Sequence, residues 1–404
     1  MRIVFLVERP TQFEAPFFRF AARDPRHELR VLFTGAAPAA PVFDPELGHT
    51  VTWGIDLLDG FPHAVAPARG RTRWLAGQLR RGSCELLIAN GYTRRDYLLA
   101  AALARRSGIA TALRLDSVLW PLPPERQAAA DGLTAAGRPA AAERSAAHLP
   151  GKRLLYAAVL MRLYDLFLAV GTLTLDYLDA CGVPAGRRGL FPYAVDVEQF
   201  RARSRLSPEE RAVARARLGL DPGDQAVLAV AKLNPREAPW DLLDALPGLP
   251  AAVRLLIAGD GPSRAEIERH AADRGAGRAR FLGYVPYAEL PALYAAADLF
   301  VHAPREERWG VSVAEALACG LPVVASTRVG AAYDLLAPGA NGWLYPAGDA
   351  AELAHRLVQA LALDRRAVAA ASREVLARWD YAASWGHLLE AGERIAGCRG
   401  GSAA

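Results

Sequence analysis

Short apolar runs, each closed by a turn signal and followed by a helical stretch, recur along this chain and restrict its fold more than any other feature. In the first half, Ile3 to Val7, Leu29 to Phe33, Glu85 to Ala89, Ile109 to Leu115, Phe167 to Val170 and Gly189 to Phe191 read as buried strands. In the second half the same reading falls on Ala226 to Ala231, Leu255 to Ala258, Phe281 to Gly283, Leu299 to His302, Pro322 to Ser326 and Trp343 to Tyr345. Strands separated by helices pair in parallel through right-handed crossovers, which predicts an α/β chain. At 404 residues it exceeds one ordinary domain, and two Rossmann-like units of about 200 residues each fit better. A polar, arginine-rich passage after Phe191 to Phe200 sets the boundary, giving residues 1–198 and 199–379.

In such sheets ligands bind beyond the carboxyl ends of the strands. That brings Arg9 to Gln12, Asn90 to Tyr92 and Arg114 to Ser117 of the first half toward one crevice. In the second half it selects Lys232, Asp260, Gly283 and the stretch from Pro304 to Gly320, PREERWGVSVAEALACG. Within that stretch Val311, Val313, Ala314, Leu317 and Ala318 share one helical face, so a helix is expected to start near Val311. Glu315 then lies one turn inside the helix and Glu307 in the loop before it. The exposed N–H groups of a first helical turn suit a phosphate, and a carboxylate one turn in suits sugar hydroxyls.

Composition narrows the classes further. With 52% hydrophobic and 23% charged residues the chain can bury two cores and is not disordered. A net charge of +5 spread over so long a chain suits anionic substrates or a membrane surface but is too dilute for nucleic acid. Of the 48 basic side chains only Lys152 and Lys232 are lysines, the bias of a GC-rich genome. Four scattered cysteines lack metal-ligand spacing and read as free thiols of a reducing cytoplasm. No run of 18 apolar residues occurs, so no membrane-spanning helix is expected. The stretch from Lys152 to Val170 reads as a core helix feeding a strand. Its basic residues beside an apolar face also fit a helix lying on the inner face of a membrane. Pro121 to Pro150 reads as an excursion at the cleft or a tolerated insertion.

KLNPRE (232–237), GDGP (259–262), FLGYVP (281–286), LYAAADLFV (293–301), the Glu-x7-Glu pair, EALACGLPVVAS (315–326) and NGWLYPAGD (341–349) follow one another in the order of a known family. Over roughly 225–350 the chain resembles family-4 retaining glycosyltransferases of the GT-B fold; over 1–200 the likeness is weaker. The resemblance implies two Rossmann-like domains facing across a cleft, the last helix (within 380–398) crossing back to the first domain. It implies a sugar-nucleotide donor, UDP-linked first and GDP-linked second, and an unnamed acceptor: a glycan, a glycolipid or a small natural product. Glu315 then holds the ribose, Glu307 the transferred sugar, and Gly310, Val311 and Ser312 the diphosphate. Tyr284 and Val285 meet the base, Lys232 neutralises the leaving phosphate, and Gln12 and Asp116 face from the acceptor side. No metal or other cofactor is expected, because no Asp-x-Asp follows a strand. Two departures stand out: Glu237 occupies the place of a phosphate-binding lysine, and ERPTQF lacks a Gly-Gly turn. They leave room for a rival reading, a transferase-like protein that binds a sugar nucleotide without turnover, and for a hydrolase or phosphorylase of the same fold.

Overall fold

The computed structural model describes residues 1–35, 42–44, 47–51, 54–120, 122, 149–274 and 277–400. The expected excursion at Pro121 to Pro150 therefore lies almost wholly outside the described residues. The first domain contains β1 (Arg2–Val7), β2 (Glu28–Phe33), β3 (Val42–Asp44), β4 (His49–Val51), β5 (His63–Val65), β6 (Leu86–Asn90), β7 (Ala110–Leu115), β8 (Leu166–Ala169) and β9 (Arg188–Leu190). Seven of these form a parallel sheet in the order β5-β2-β1-β6-β7-β8-β9, while β3 and β4 make a separate antiparallel pair. The second domain contains β10 (Gln225–Val230), β11 (Val253–Ala258), β12 (Ala279–Gly283), β13 (Leu299–His302), β14 (Val323–Ser326) and β15 (Gly342–Tyr345). Its sheet, also parallel, runs β12-β11-β10-β13-β14-β15.

The strands read from the sequence appear within a residue or two of their observed ends, because uninterrupted apolar runs suit strands covered on both faces. In β7 all six residues are buried, and in β8 and β13 all four. No strand is read from the sequence where β3, β4 and β5 lie. These strands are three residues each, too short for a period-2 pattern to register. A helix over Pro208–Arg217 also went unread, although Ser207 and Glu210 close a capping box on its first turn. The stretch from Lys152 onward is helical, with a π-turn over Tyr156–Leu160. It buries Tyr156 and Leu160 and leaves Leu154 69% and Val159 39% exposed. Among the described residues no helix is long and apolar enough to cross a membrane.

The last helix, Tyr381–Gly400, crosses back to the first domain. Tyr381, Trp385, Leu388, Leu389 and Ala391 join the core built on Phe5, Phe17, Phe18, Val31 and Phe191. Trp385 also donates its indole N–H to Asp24 at 3.0 Å. The chain's end thus belongs to the hydrophobic core of its beginning, which ties the two domains twice. Leu388, fully buried, should on truncation to alanine destabilise the protein by about 2–5 kcal/mol, read from the midpoint of denaturant unfolding.

Candidate active site

The carboxyl ends of both sheets border one cavity of about 420 Å³. Gln12, Asp116, Lys232, Tyr284, Val285, Glu307, Gly310, Val311, Ser312 and Glu315, the ten residues singled out from the sequence, all line it. Arg9, Asn90 and Arg114, grouped with them by strand-end logic, do not. Arg114 is buried instead between the rings of Phe191 and Tyr193, each centred 4.1 Å from its guanidinium. It donates to the carbonyls of Phe191 and Pro192 and to Glu14, and so props the segment that leads into the second domain.

The loop from Ala303 to Gly310 joins β13 to the helix Val311–Ala318, with Gly310 at φ 97°. Only glycine fits there: a Cβ would come within 2.9 Å of Val329 and 3.3 Å of His302, besides the cost of the left-handed backbone. Val311 and Ser312, whose first-turn N–H groups have no intrahelical partners, line the cavity. Trp309, just before the turn, anchors it. Its indole donates to the Tyr193 carbonyl at 3.1 Å across the domain boundary, and its main-chain N–H donates to Glu307 Oε1 at 3.3 Å.

Glu315 is 95% buried one turn inside this helix, and it accepts a hydrogen bond from the Tyr294 hydroxyl at 2.9 Å. Burial raises its pKa from 4.5 to about 7, against which the Tyr294 bond pulls weakly downward. The acid therefore stands at the edge of ionisation near neutrality. Tyr294 was not singled out in the sequence. It sits inside the LYAAADLFV run as an apparent core residue, and only the tertiary fold brings its hydroxyl to Glu315.

His302, at the end of β13, also lines the cavity. It stacks on Phe300, its Nε2 has no hydrogen-bond partner, and burial lowers its pKa to about 4, so the imidazole is neutral. Glu237, His302 and Glu307 offer ligand atoms within 4.8 Å of one another, the one such group found among the described residues. A cation already stands there: Arg236 contacts Glu237 at 2.6 Å and Glu307 at 3.2 Å. Lys232 reaches across the cleft to Asp44 at 3.1 Å, and Arg308 to Asp116 at 3.4 Å. Ala238, at φ 47°, turns the chain from this loop into the helix Pro239–Ala245, a conformation that costs a residue with a Cβ about 1–2 kcal/mol.

This is a site of anion-binding donors and paired charges set between two parallel sheets. Residues 210–377 match the family described as Glycosyl transferases group 1. Over 225 residues the chain is 38% identical to a GDP-mannose-dependent alpha-mannosyltransferase of Mycobacterium tuberculosis, covering 54% of each. Over 205 residues it is 36% identical to a D-inositol 3-phosphate glycosyltransferase of Mycolicibacterium smegmatis, covering 49% of this chain and 44% of that one. The aligned part spans about half the length of these curated relatives. Among solved structures it is similar to Anabaena HepE in complex with UDP, with a TM-score of 0.71 at 20% identity over 96% of this chain and 99% of that one. It is also similar to sucrose-phosphate synthase of Thermosynechococcus elongatus, with a TM-score of 0.65 at 20% identity over 98% and 99%. The fold is GT-B.

Glu315 carries a stability consequence. Its folded-state pKa is raised, so the protonated acid stabilises the fold at low pH, and that contribution is lost as pH climbs from 4.5 through about 7. Glu315→Gln should therefore raise the thermal midpoint of the ligand-free protein at pH 8 by roughly 5 °C and leave it little changed at pH 5. Equal midpoints for the two proteins at pH 8 would show that Glu315 carries no such strain.

Proposed function

We propose that this chain is a retaining glycosyltransferase that moves a hexose from a nucleoside-diphosphate sugar to an acceptor held mainly by the first domain. The observation that carries the reading is the convergence of ten residues from both domains, distant in sequence, on one cavity at a helix N-terminus. Relatives named as GDP-mannose-dependent mannosyltransferases are over 30% identical across about half of this chain. The UDP complex is similar at 20% identity, a level that speaks for the fold alone. A GDP-sugar therefore stands ahead of a UDP-sugar as donor, reversing the order drawn from the family resemblance. The acceptor is a glycan, a glycolipid or a small natural product.

In this reading ionised Glu315 accepts hydrogen bonds from the two ribose hydroxyls, and Tyr284 and Val285 border the base. The N–H groups of Val311 and Ser312, with Lys232, meet the diphosphate. As the glycosidic C–O bond breaks, negative charge grows on the leaving phosphate oxygen while the sugar takes on oxocarbenium character. Fixed N–H donors and a cation aimed at that oxygen stabilise the transition state more than the ground state. Glu307 holds a hydroxyl of the transferred sugar. The acceptor oxygen attacks from the face that the phosphate leaves, passing its proton to the departing phosphate, and the anomeric configuration is kept. No metal is required in this scheme. The intact donor-side set speaks for turnover over binding alone.

Calorimetry with GDP, UDP and ADP, followed by turnover of the matching sugar nucleotides with candidate acceptors, tests the reading. One of these diphosphates should bind, and turnover should survive EDTA. Glu315→Ala should fold and lose roughly 1–3 kcal/mol of affinity for that diphosphate. A chain that binds no nucleoside diphosphate is not this enzyme. Rescue of activity only by magnesium or manganese would overturn the metal-free scheme.

A further inference from the structure

The cavity holds a second cation that the family resemblance did not assign. At the position expected to carry a phosphate-binding lysine stands Glu237, a carboxylate 94% buried. A bare carboxylate there would repel a diphosphate. Arg236 changes that balance. Its Nη2 lies 2.6 Å from Glu237 Oε1, and its Nη1 donates to Glu307 Oε2 at 3.2 Å and to the Glu306 carbonyl at 3.3 Å. Asn234 fixes the turn that aims it: the main-chain N–H groups of Arg236 and Glu237 both donate to Asn234 Oδ1, at 3.0 and 3.1 Å. The Arg236 carbonyl is held in turn by the N–H of Arg305 at 2.7 Å. The side chain remains 41% exposed on the cavity wall.

We propose that Arg236 is the second donor-binding cation, placing its guanidinium on the phosphates while Glu237 acts as the positioning residue that holds it. This rests on the glycosyltransferase reading and deepens it. A guanidinium presents five N–H groups in a plane, so it can keep Glu237 on one edge and meet phosphate oxygens on another. The exchange also releases Glu307. Arg236 ties Glu307; once the guanidinium turns to phosphate, the Glu307 carboxylate is available to the sugar. Donor phosphate and sugar recognition are thereby linked through one side chain.

The test uses the full chain and two probes for each base, the nucleoside diphosphate and its uncharged nucleoside (GDP with guanosine, UDP with uridine). Arg236→Ala and Arg236→Gln, each checked for folding by thermal unfolding, should bind the diphosphate about tenfold to a hundredfold more weakly, the loss of a charge-assisted hydrogen bond. Their affinity for the nucleoside should stay within about twofold. Glu237→Gln removes the charge but keeps a side-chain oxygen for the Arg236 guanidinium, so it should change diphosphate affinity by less than about threefold. Undiminished diphosphate binding by the Arg236 variants would overturn the proposal, and so would equal loss of both probes. Tenfold tighter diphosphate binding by Glu237→Gln would also overturn it, since Glu237 would then face the phosphates unscreened. Should the native chain bind neither diphosphate, the glycosyltransferase reading itself fails, an outcome separable from native binding with insensitive Arg236 variants.

Discussion

Parallel pairing gives each sheet one edge at which every strand ends, and in this chain those two edges face each other. The consequence is geometric. Loops after β1 and β7 of one sheet and after β10, β12 and β13 of the other must enter the same space, whatever residues they carry. Gln12 and Asp116 thus meet Lys232, Tyr284 and Glu307 although nearly 300 residues separate the ends of this set. Everything chemical about the site follows from what those loops place at that meeting point.

What they place is a set of charges balanced before any ligand arrives. Lys232 is matched by Asp44, Arg308 by Asp116, and Arg236 by Glu237 and Glu307. His302 is neutral because burial disfavours its cation, and Glu315 is held near its midpoint of ionisation for the corresponding reason. An anionic ligand entering such a site exchanges existing partners for new ones and leaves no buried charge alone. Two of these pairs, Lys232 with Asp44 and Arg308 with Asp116, join the domains across the cleft.

Rigidity at the centre comes from the first domain's core. Arg114, sandwiched by Phe191 and Tyr193, holds the Phe191 and Pro192 carbonyls; the Tyr193 carbonyl then receives the Trp309 indole, and the Trp309 N–H holds Glu307. A buried cation in one sheet is thereby connected to a carboxylate on the loop of the other. The final helix, locked into the first core through Trp385 and Leu388, keeps the two ends of that path together. Positioning groups of this kind matter because small displacements of reacting groups cost large factors in rate.

Much of this was legible in the amino-acid order. Apolar runs such as Leu299 to His302 declare buried strands locally, since hydrophobic pattern and turn chemistry act over a few residues. The Glu307-to-Glu315 spacing around Gly310 likewise declares a helix terminus with carboxylates on either side. Three-residue strands such as β5 escaped because they are defined by partners and carry no pattern of their own. Arg114 was placed at the crevice by its position on a strand end, yet its burial depends on two aromatic rings that come from residues 191 and 193. Tyr294 and His302 were legible as residue types and silent as site residues. The sequence by itself determined which segments are strands, which turn requires glycine and which carboxylates stand near a helix start, because those are short-range consequences of side-chain chemistry. Only the tertiary structure decided that Tyr294 tunes Glu315, that Arg236 screens Glu237 and that Asp44 answers Lys232, because each depends on a distance between residues that the chain brings together only when both sheets have formed.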